Sequence, residues 1–169
     1  IASPVSGSTL TPSSGYKFNT WSSDNMVDNI ILSASEKNLS LEDAGTYSGT
    51  MTGSSAFNTL TQKTEFGITF TDSASTTGTY TITPSSAVSG ATTTTFNAGS
   101  EYTFQNIDWQ GSSSTEELIL RSSASGTPWT LNVPGSQINV EYVNVQDSDA
   151  SAGNEILSTN STDSGNNTN

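Results

Sequence analysis

The residues best suited to chemistry are the carboxylates of Asp147 and Asp149, which lie two positions apart with the amides of Asn144 and Gln146 nearby. Hard oxygen ligands of this kind bind Ca²⁺. The same residue types also form turns in which Asp and Ser side chains bond their own backbone. We favour the turn and predict no obligatory cofactor, with a Ca²⁺ site at Asp147 and Asp149 as the alternative.

Catalysis has few candidates in this chain. The sequence contains neither Cys nor His, which excludes thiolate chemistry, soft-metal sites and histidine-based acid–base mechanisms. A polysaccharide hydrolase needs two convergent carboxylates, but Glu116 and Glu117 are adjacent and point to opposite faces of a strand. A lyase needs a base beside a carboxylate or Ca²⁺ cluster, whereas Arg121 belongs to an apolar predicted strand. We therefore predict that the protein is not an enzyme.

The charge of the chain limits its partners. A net charge of −12 results from 16 acidic and four basic residues. Nucleic acids and anionic lipid surfaces both attract a basic surface, so neither is predicted as a partner. No run approaches the roughly 20 apolar residues that a membrane span needs. The four cations are Lys17, Lys37, Lys63 and Arg121.

Three tryptophans could form a platform for sugar rings. Trp109 and Trp129 alternate with apolar neighbours, which indicates the core, whereas Trp21 lies among polar residues. Trp21 is therefore the candidate glycan-binding residue. Sequons for N-glycosylation, which indicate surface positions in a secreted protein, occur at Asn38, Asn160 and Asn166.

Short alternating segments must position these residues. In Val140–Ser148, apolar and polar residues alternate until Asp and Ser end the run, which is typical of a half-buried strand. Similar segments at Ile30, Ile68 and Ile107 precede the one at Val143, so the pattern returns at a nearly constant interval. A regular interval of roughly 38 residues predicts a solenoid.

Composition favours an all-β fold. Ser and Thr supply 58 of the 169 residues, and β-branched and aromatic residues recur throughout. We predict a short parallel solenoid of about four coils, with a β-sandwich as the alternative because it shows similar short strands. Residues 23–37 also fit a helix, but we favour a strand. The predicted inward residues are Ile68, Phe70, Tyr80, Ile82, Ile107, Trp109, Leu118, Leu120, Trp129, Leu131, Val133, Val143 and Val145.

The chain is predicted to form a single β domain over residues 1–169. Its parts are an extended N-terminal segment over 1–22, the coils over 23–157 and a polar tail over 158–169. The tail contains no hydrophobic residue, so we expect a loop or a frayed end. The chain begins without Met, which we interpret as a mature N-terminus after removal of a leader or as an engineered boundary of the chain.

Three segments and a closing asparagine-rich run carry a family resemblance. They are Leu118–Ser123, Gly126–Leu131, Val143–Ser148 and Thr159–Asn169. This last third of the chain resembles repeat-rich bacterial extracellular proteins, in which such segments form the last coils of a right-handed parallel β-helix similar to pectin-lyase-like solenoids. The resemblance implies a secreted or cell-surface location, a structural or adhesive role and no catalytic residues.

The ends of a solenoid suggest a function. Both ends are open, and the sequence shows no amphipathic helix that would clearly cap either of them. The N-terminal residues Ile1, Val5 and Leu10 could pair with a neighbouring copy by strand addition, and head-to-tail contacts of this kind build filaments. We therefore predict a self-assembling subunit of a cell-surface filament or sheath. The alternative is a cell-surface adhesion module that binds surface glycans.

Overall fold

The computed structural model describes residues 9–10, 29–30, 38–41, 47–51, 54–63, 66–84 and 93–168. Within these ranges no helix is long and apolar enough to cross a membrane. The strands in chain order are β1 (Thr9–Leu10), β2 (Asn29–Ile30), β3 (Asn38–Leu41), β4 (Tyr47–Met51), β5 (Ser55–Phe57), β6 (Thr59–Lys63), β7 (Phe66–Phe70), β8 (Ala74–Thr83), β9 (Thr93–Phe96), β10 (Glu101–Gln110), β11 (Leu118–Ser122), β12 (Trp129–Asn132), β13 (Gln137–Glu141), β14 (Val143–Val145), β15 (Ser148–Asp149) and β16 (Thr162–Asp163).

The strands form two parallel sheets. The first sheet has the order β1-β2-β4-β7-β9-β11-β14-β16, and the second has the order β15-β12-β10-β8-β6-β3, with β5 beside β8 and β13 beside β10. The chain passes between the sheets repeatedly, so each return adds the next strand in order. The all-β prediction is confirmed. Parallel pairing of the described strands does not fit the antiparallel sheets of a β-sandwich, the alternative prediction.

Register partners lie closer together in sequence than predicted. In the first sheet, Val145 pairs with Asp163, and Thr69 pairs with Thr95. The predicted repeat interval is therefore wrong, since Ile68 lies on β7 of the first sheet and Ile107 on β10 of the second. Strands of both sheets bury one face, so their sequences look alike without being neighbours. Eight of the described strands belong to the first sheet, twice the number of coils predicted.

Two strands of ten residues, β8 and β10, each pair with two shorter strands on one side. Strand β8 pairs first with β5 and then with β6, and β10 pairs with β12 and then with β13. The register between β8 and β10 shifts between Phe104 and Asn106. Gly78 lies at this shift, where its amide donates to the carbonyl of Asn58 at 2.7 Å. A Cβ added at Gly78 would lie 2.7 Å from that oxygen, so this bulge requires glycine.

Aromatic side chains fill the interior. Phe96 stacks on Trp129 with ring centroids 3.9 Å apart, and on Phe70 with centroids 5.4 Å apart. Tyr80 meets Phe104 edge to face at 4.8 Å. Twelve of the thirteen predicted inward residues are buried, and the other, Val145, is half-buried and packs against the core. Alternation therefore predicted the buried faces correctly although the repeat alignment was wrong.

The predictions for the N-terminal part can be compared at few positions. Asn29–Ile30 form β2, which confirms the strand favoured over the helix for these two residues. Leu10 ends β1, which comes first in the order of the described strands of the first sheet. Ile1 and Val5 lie outside the described residues, as does most of the predicted extended segment.

Candidate functional site: the C-terminal edge

We use the term C-terminal edge for β15, β16 and residues 150–168. Among the described strands, β16 pairs on one side only, with β14. Beyond it, the amide of Ser164 donates to the carbonyl of Val145 at 2.9 Å, and the amide of Thr168 donates to the carbonyl of Ser148 at 2.8 Å. The segment predicted as a loop or frayed tail thus continues both sheets. Backbone hydrogen bonds hold it in place although it offers no apolar side chain for burial.

Asn167 ties the last residues to the strands before them. Its Oδ1 accepts from the amide and the hydroxyl of Ser148, at 2.9 and 3.0 Å. Its Nδ2 donates to the carbonyl of Val145 at 3.0 Å and to the carboxylate of Asp163. These four bonds use both donors and both lone pairs of one amide side chain.

A second polar network, the edge clamp, consists of Glu117, Arg121, Asn144, Thr162 and Ser164. Asn144 is at its centre: its Nδ2 donates to Glu117 at 2.8 Å, and its Oδ1 accepts from Arg121 at 2.6 Å and from Ser164 at 2.7 Å. Thr162 donates to the other carboxylate oxygen of Glu117. Partial burial lowers the pKa of Arg121, and the charge of Glu117 opposes this. The clamp joins β11, β14 and β16, so two residues considered for catalysis, Glu117 and Arg121, have a structural role.

Left-handed backbone turns surround the C-terminal edge. Asn and Asp tolerate this conformation better than other residues with a side chain, whereas it is strained for an aromatic residue. The amide of Tyr142 donates to the carbonyl of Thr159 at 3.1 Å, so the segment before β16 holds this turn. Among the residues that the structure describes, those with a positive φ and a side chain are Tyr142 (52°), Asp147 (57°), Asn160 (51°) and Asn166 (57°).

A cavity of about 410 Å³ opens at the C-terminal edge. Its inner wall is apolar and includes Trp109, Leu120 and Trp129, whereas Ser148 and Asp163 are on the side of the edge. The strand register explains the cavity, because the partner of Trp129 on β15 is the small Ser148. The indole N–H groups of Trp109 and Trp129 are buried without a hydrogen-bond partner within the described part of the chain.

The two carboxylates predicted as calcium ligands both make local bonds. Buried Asp147 accepts from the side-chain amide of Asn166 at 2.8 Å. Asp149 accepts from the hydroxyl and the amide of Ser151, at 2.6 and 3.0 Å, and these bonds lower the pKa of Asp149. Such bonds are typical of the turn that we favoured. Among the described residues, no three His, Cys, Asp or Glu side chains are grouped to hold a metal ion. The calcium site stays a prediction.

The predicted glycan-binding residue, Trp21, lies outside the described residues. Trp109 and Trp129 are buried in the core, as their apolar neighbours indicated. The prediction that these two residues belong to the core is confirmed, and their buried rings present no face to a sugar.

The three sequons fall in different settings. Asn160 and Asn166 lie on exposed turns of the C-terminal edge, and their amides donate to Glu141 at 2.9 Å and Asp147 at 2.8 Å. Asn38 starts β3, which pairs with β6. Attachment of a glycan at Asn160 or Asn166 would remove one of the two amide hydrogens and leave one to donate these bonds. Glycosylation stays a prediction at all three positions.

No local sequence signal marks the polar residues that hold the C-terminal edge. Asn144 and Asn167 resemble ordinary turn residues in sequence, and only the fold shows that distant Glu117 and Ser148 are their partners. Comparison with known proteins adds nothing to this, since no family model, curated protein or solved structure matches the chain. The geometry of the chain therefore carries the functional argument.

Proposed function

We propose that the protein is a non-enzymatic structural subunit of an extracellular or cell-surface filament, and that its two sheets are faces of a right-handed parallel β-helix. The observation that carries this proposal is the order of the first sheet, in which the strands follow chain order from β1 to β16. In a solenoid each coil covers the one before it, and among the described strands β1 and β16 each pair with one neighbour only. The other sides of these two strands are suited to pairing between copies.

The edge at β1 and the edge at β16 are different surfaces, and this difference determines how two copies can join. Two β16 strands related by a twofold axis would run antiparallel. By contrast, β1 of one copy beside β16 of another would continue the parallel sheet. A contact between unlike surfaces repeats without closing and builds a filament. Main-chain hydrogen bonds would supply much of the affinity, as in other cases of strand addition.

Electrostatic repulsion opposes this assembly. Each copy carries a net charge of −12, and like-charged subunits repel each other until counterions screen them. We expect filaments to form more readily at high ionic strength. Electron microscopy and light scattering of the purified protein across a salt series test the proposal directly. A monomer at every salt concentration would contradict it.

Cysteine trapping tests the arrangement of copies, because the natural chain contains no Cys. Thr9→Cys and Ser164→Cys place one thiol on β1 and one just after β16. Under mild oxidation the double variant should give a ladder of disulfide-linked multimers. The control pairs Ser164→Cys with Thr81→Cys, which lies within β8, and should stay mainly monomeric. Equal ladders from both pairs would rule out specific end-to-end joining.

An adhesion module that binds glycans is the second candidate. The favouring observation is a polar row on β10 and β13, where Asp108 accepts from Gln110 at 2.7 Å and from Asn139 at 3.2 Å. Networks of amides and carboxylates suit the hydroxyl groups of sugars. Glycan-array binding that Trp21→Ala or Asn139→Ala abolishes would favour this function. Absence of glycan binding together with filaments would reject it.

A further inference from the structure

We infer that three buried polar side chains determine the alignment of neighbouring strands in the middle of this fold. They belong to Gln62 on β6, Tyr80 on β8 and Thr94 on β9, and we call them the polar bridge. Strands β6 and β8 are neighbours in the second sheet, whereas β9 belongs to the first, so the bridge connects the two sheets. The bridge acts within one chain and does not depend on the assembly proposed above.

The polar bridge contains two hydrogen bonds. Nε2 of Gln62 donates to Oγ1 of Thr94 at 2.8 Å, and Oε1 of Gln62 accepts from the hydroxyl of Tyr80 at 2.6 Å. All three residues have an exposed fraction of 0 %. Because water does not reach these groups, a strand arrangement that separates them leaves a buried amide without these partners. The two bonds therefore favour one arrangement of β6, β8 and β9 over its alternatives.

The bridge is a polar exception in columns of apolar side chains. In the second sheet, the register partners that follow Gln62 across β8, β10 and β13 are Ile82, Trp109 and Val140. In the first sheet, the partners that follow Thr94 across β11 and β14 are Leu120 and Val145. Four of these five apolar residues are buried, and the fifth, Val145, packs against the core. Apolar contacts of this kind persist when a strand slips by two residues, because its buried face stays inward.

A slip by two residues shows what the bridge adds to the apolar contacts. If β8 slips along β6 so that Ile82 takes the position of Tyr80, the same face of β8 still points inward. Gln62 then loses the hydroxyl that donates to its Oε1. The slip keeps most of the apolar burial but carries the desolvation cost of a buried amide oxygen. A single buried polar residue sets the register of coiled coils by the same mechanism.

Disulfide trapping measures this slip, since the natural chain contains no Cys. Thr61 and Thr81 are register partners, so cysteines at these two positions report the natural alignment. Cysteines at Thr61 and Thr83 are two residues out of register and report the slip. Parallel partners about 4.8 Å apart suit a disulfide, whereas positions two residues out of register are about 8 Å apart and do not.

Removal of the bridge should allow the slip. A triple variant, Gln62→Met with Tyr80→Phe and Thr94→Val, keeps a similar volume but no polar group of the bridge. We expect its ratio of slipped to natural disulfide to rise at least about tenfold, the factor that corresponds to one buried hydrogen bond. Tyr80→Phe alone should raise the ratio by a smaller factor. The matched control, Thr76→Val, should leave the ratio unchanged, because the buried Thr76 hydroxyl donates to the carbonyl of Gly78 in its own strand.

Denaturant unfolding separates alignment from stability. The triple variant replaces all partners by apolar groups, so it should unfold at a denaturant concentration close to that of the natural protein. Thr94→Val alone leaves the amide of Gln62 buried without this acceptor and should unfold at a lower concentration. A disulfide ratio that stays unchanged in both the triple variant and Tyr80→Phe would overturn the inference. So would a triple variant that loses more stability than Thr94→Val, because the bridge would then be an ordinary stabilising contact.

Discussion

The middle of the molecule and its C-terminal edge are held together by different interactions. In the middle, Phe70, Phe96 and Tyr102 are fully or almost fully buried and pack ring against ring. At the edge, Asn167 and Asn144 bind neighbouring strands through hydrogen bonds. Both regions have the same parallel pairing. The difference shows that aromatic burial suits strands covered on both sides, whereas polar bonds allow a strand to remain at an edge beside an open cavity.

The strongest test of this comparison removes one aromatic side chain from the middle. Phe96→Ala should lower the free energy of unfolding by about 3–5 kcal/mol, because it leaves a cavity between Phe70 and Trp129. Denaturant unfolding followed by circular dichroism measures this loss. Val145→Ala, at the half-buried edge position, is the control and should cost less. Equal losses would mean that the two regions are packed alike.

A smaller effect is expected from the polar bonds of the edge. Asn167→Ala removes the four bonds to Ser148, Val145 and Asp163, and should cost about 1–3 kcal/mol. The loss should be local, so hydrogen exchange should accelerate at the amides of Ser148 and Thr168 and remain slow in β8 and β10. Asn139→Ala, which removes a single longer bond to Asp108, is the matched control. Uniform acceleration throughout the chain would show that the edge and the middle unfold as one unit.

One edge substitution should stabilise the protein. Tyr142 has a φ of 52°, a conformation that costs a bulky residue roughly 1–2 kcal/mol and costs Asn less. Tyr142→Asn should therefore raise the free energy of unfolding by up to about 1 kcal/mol, measured by thermal unfolding. Asn160, with a φ of 51°, already meets this preference, so Asn160→Tyr should have the opposite effect. A destabilised Tyr142→Asn protein would show that the Tyr ring makes contacts worth more than the strain.

The buried tyrosines of the middle should have the smallest effect on the free energy of unfolding at neutral pH, because they titrate only in alkaline solution. Burial raises the pKa of Tyr102 to about 12, with a smaller rise from Asp72 that the hydrogen bond from Asn97 opposes, and burial also raises the pKa of Tyr80 well above its usual value. A pKa raised in the folded state means that the unfolded chain loses its proton first. The contribution of these tyrosines to stability should therefore be constant below about pH 10 and fall as the pH rises towards 12.

Unfolding measured between about pH 8 and 12 tests this dependence. Tyr102→Phe should make the decline shallower, because one titrating group has been removed from the interior. Tyr47→Phe, on β4 and distant in sequence, is the control for loss of a phenol. If Tyr102→Phe leaves the slope unchanged, the decline has another origin.

Local pattern predicted much of this fold. Alternation identified the buried residues, and the abundance of Ser and Thr identified the all-β class. Local pattern failed to predict the repeat interval, because Ile68 and Ile107 have similar local sequences but belong to different sheets. It also carried no sign of the bonds that hold the polar segment after residue 158, which has a strand at Thr162–Asp163. Apolar burial is only one source of order, and this segment relies on backbone pairing and on Asn167 instead.

Which side of each strand faces inward follows from the sequence, because neighbouring residues of a strand point to opposite faces whatever the strand lies beside. Which strands become neighbours depends on the length and path of every connection between them. The pairing of Trp129 with Ser148 was settled at this level, and with it the cavity at the C-terminal edge and the unpaired indole N–H groups of the described residues. Contacts between residues far apart in sequence carry no local signal, so only the assembled sheets bring them together.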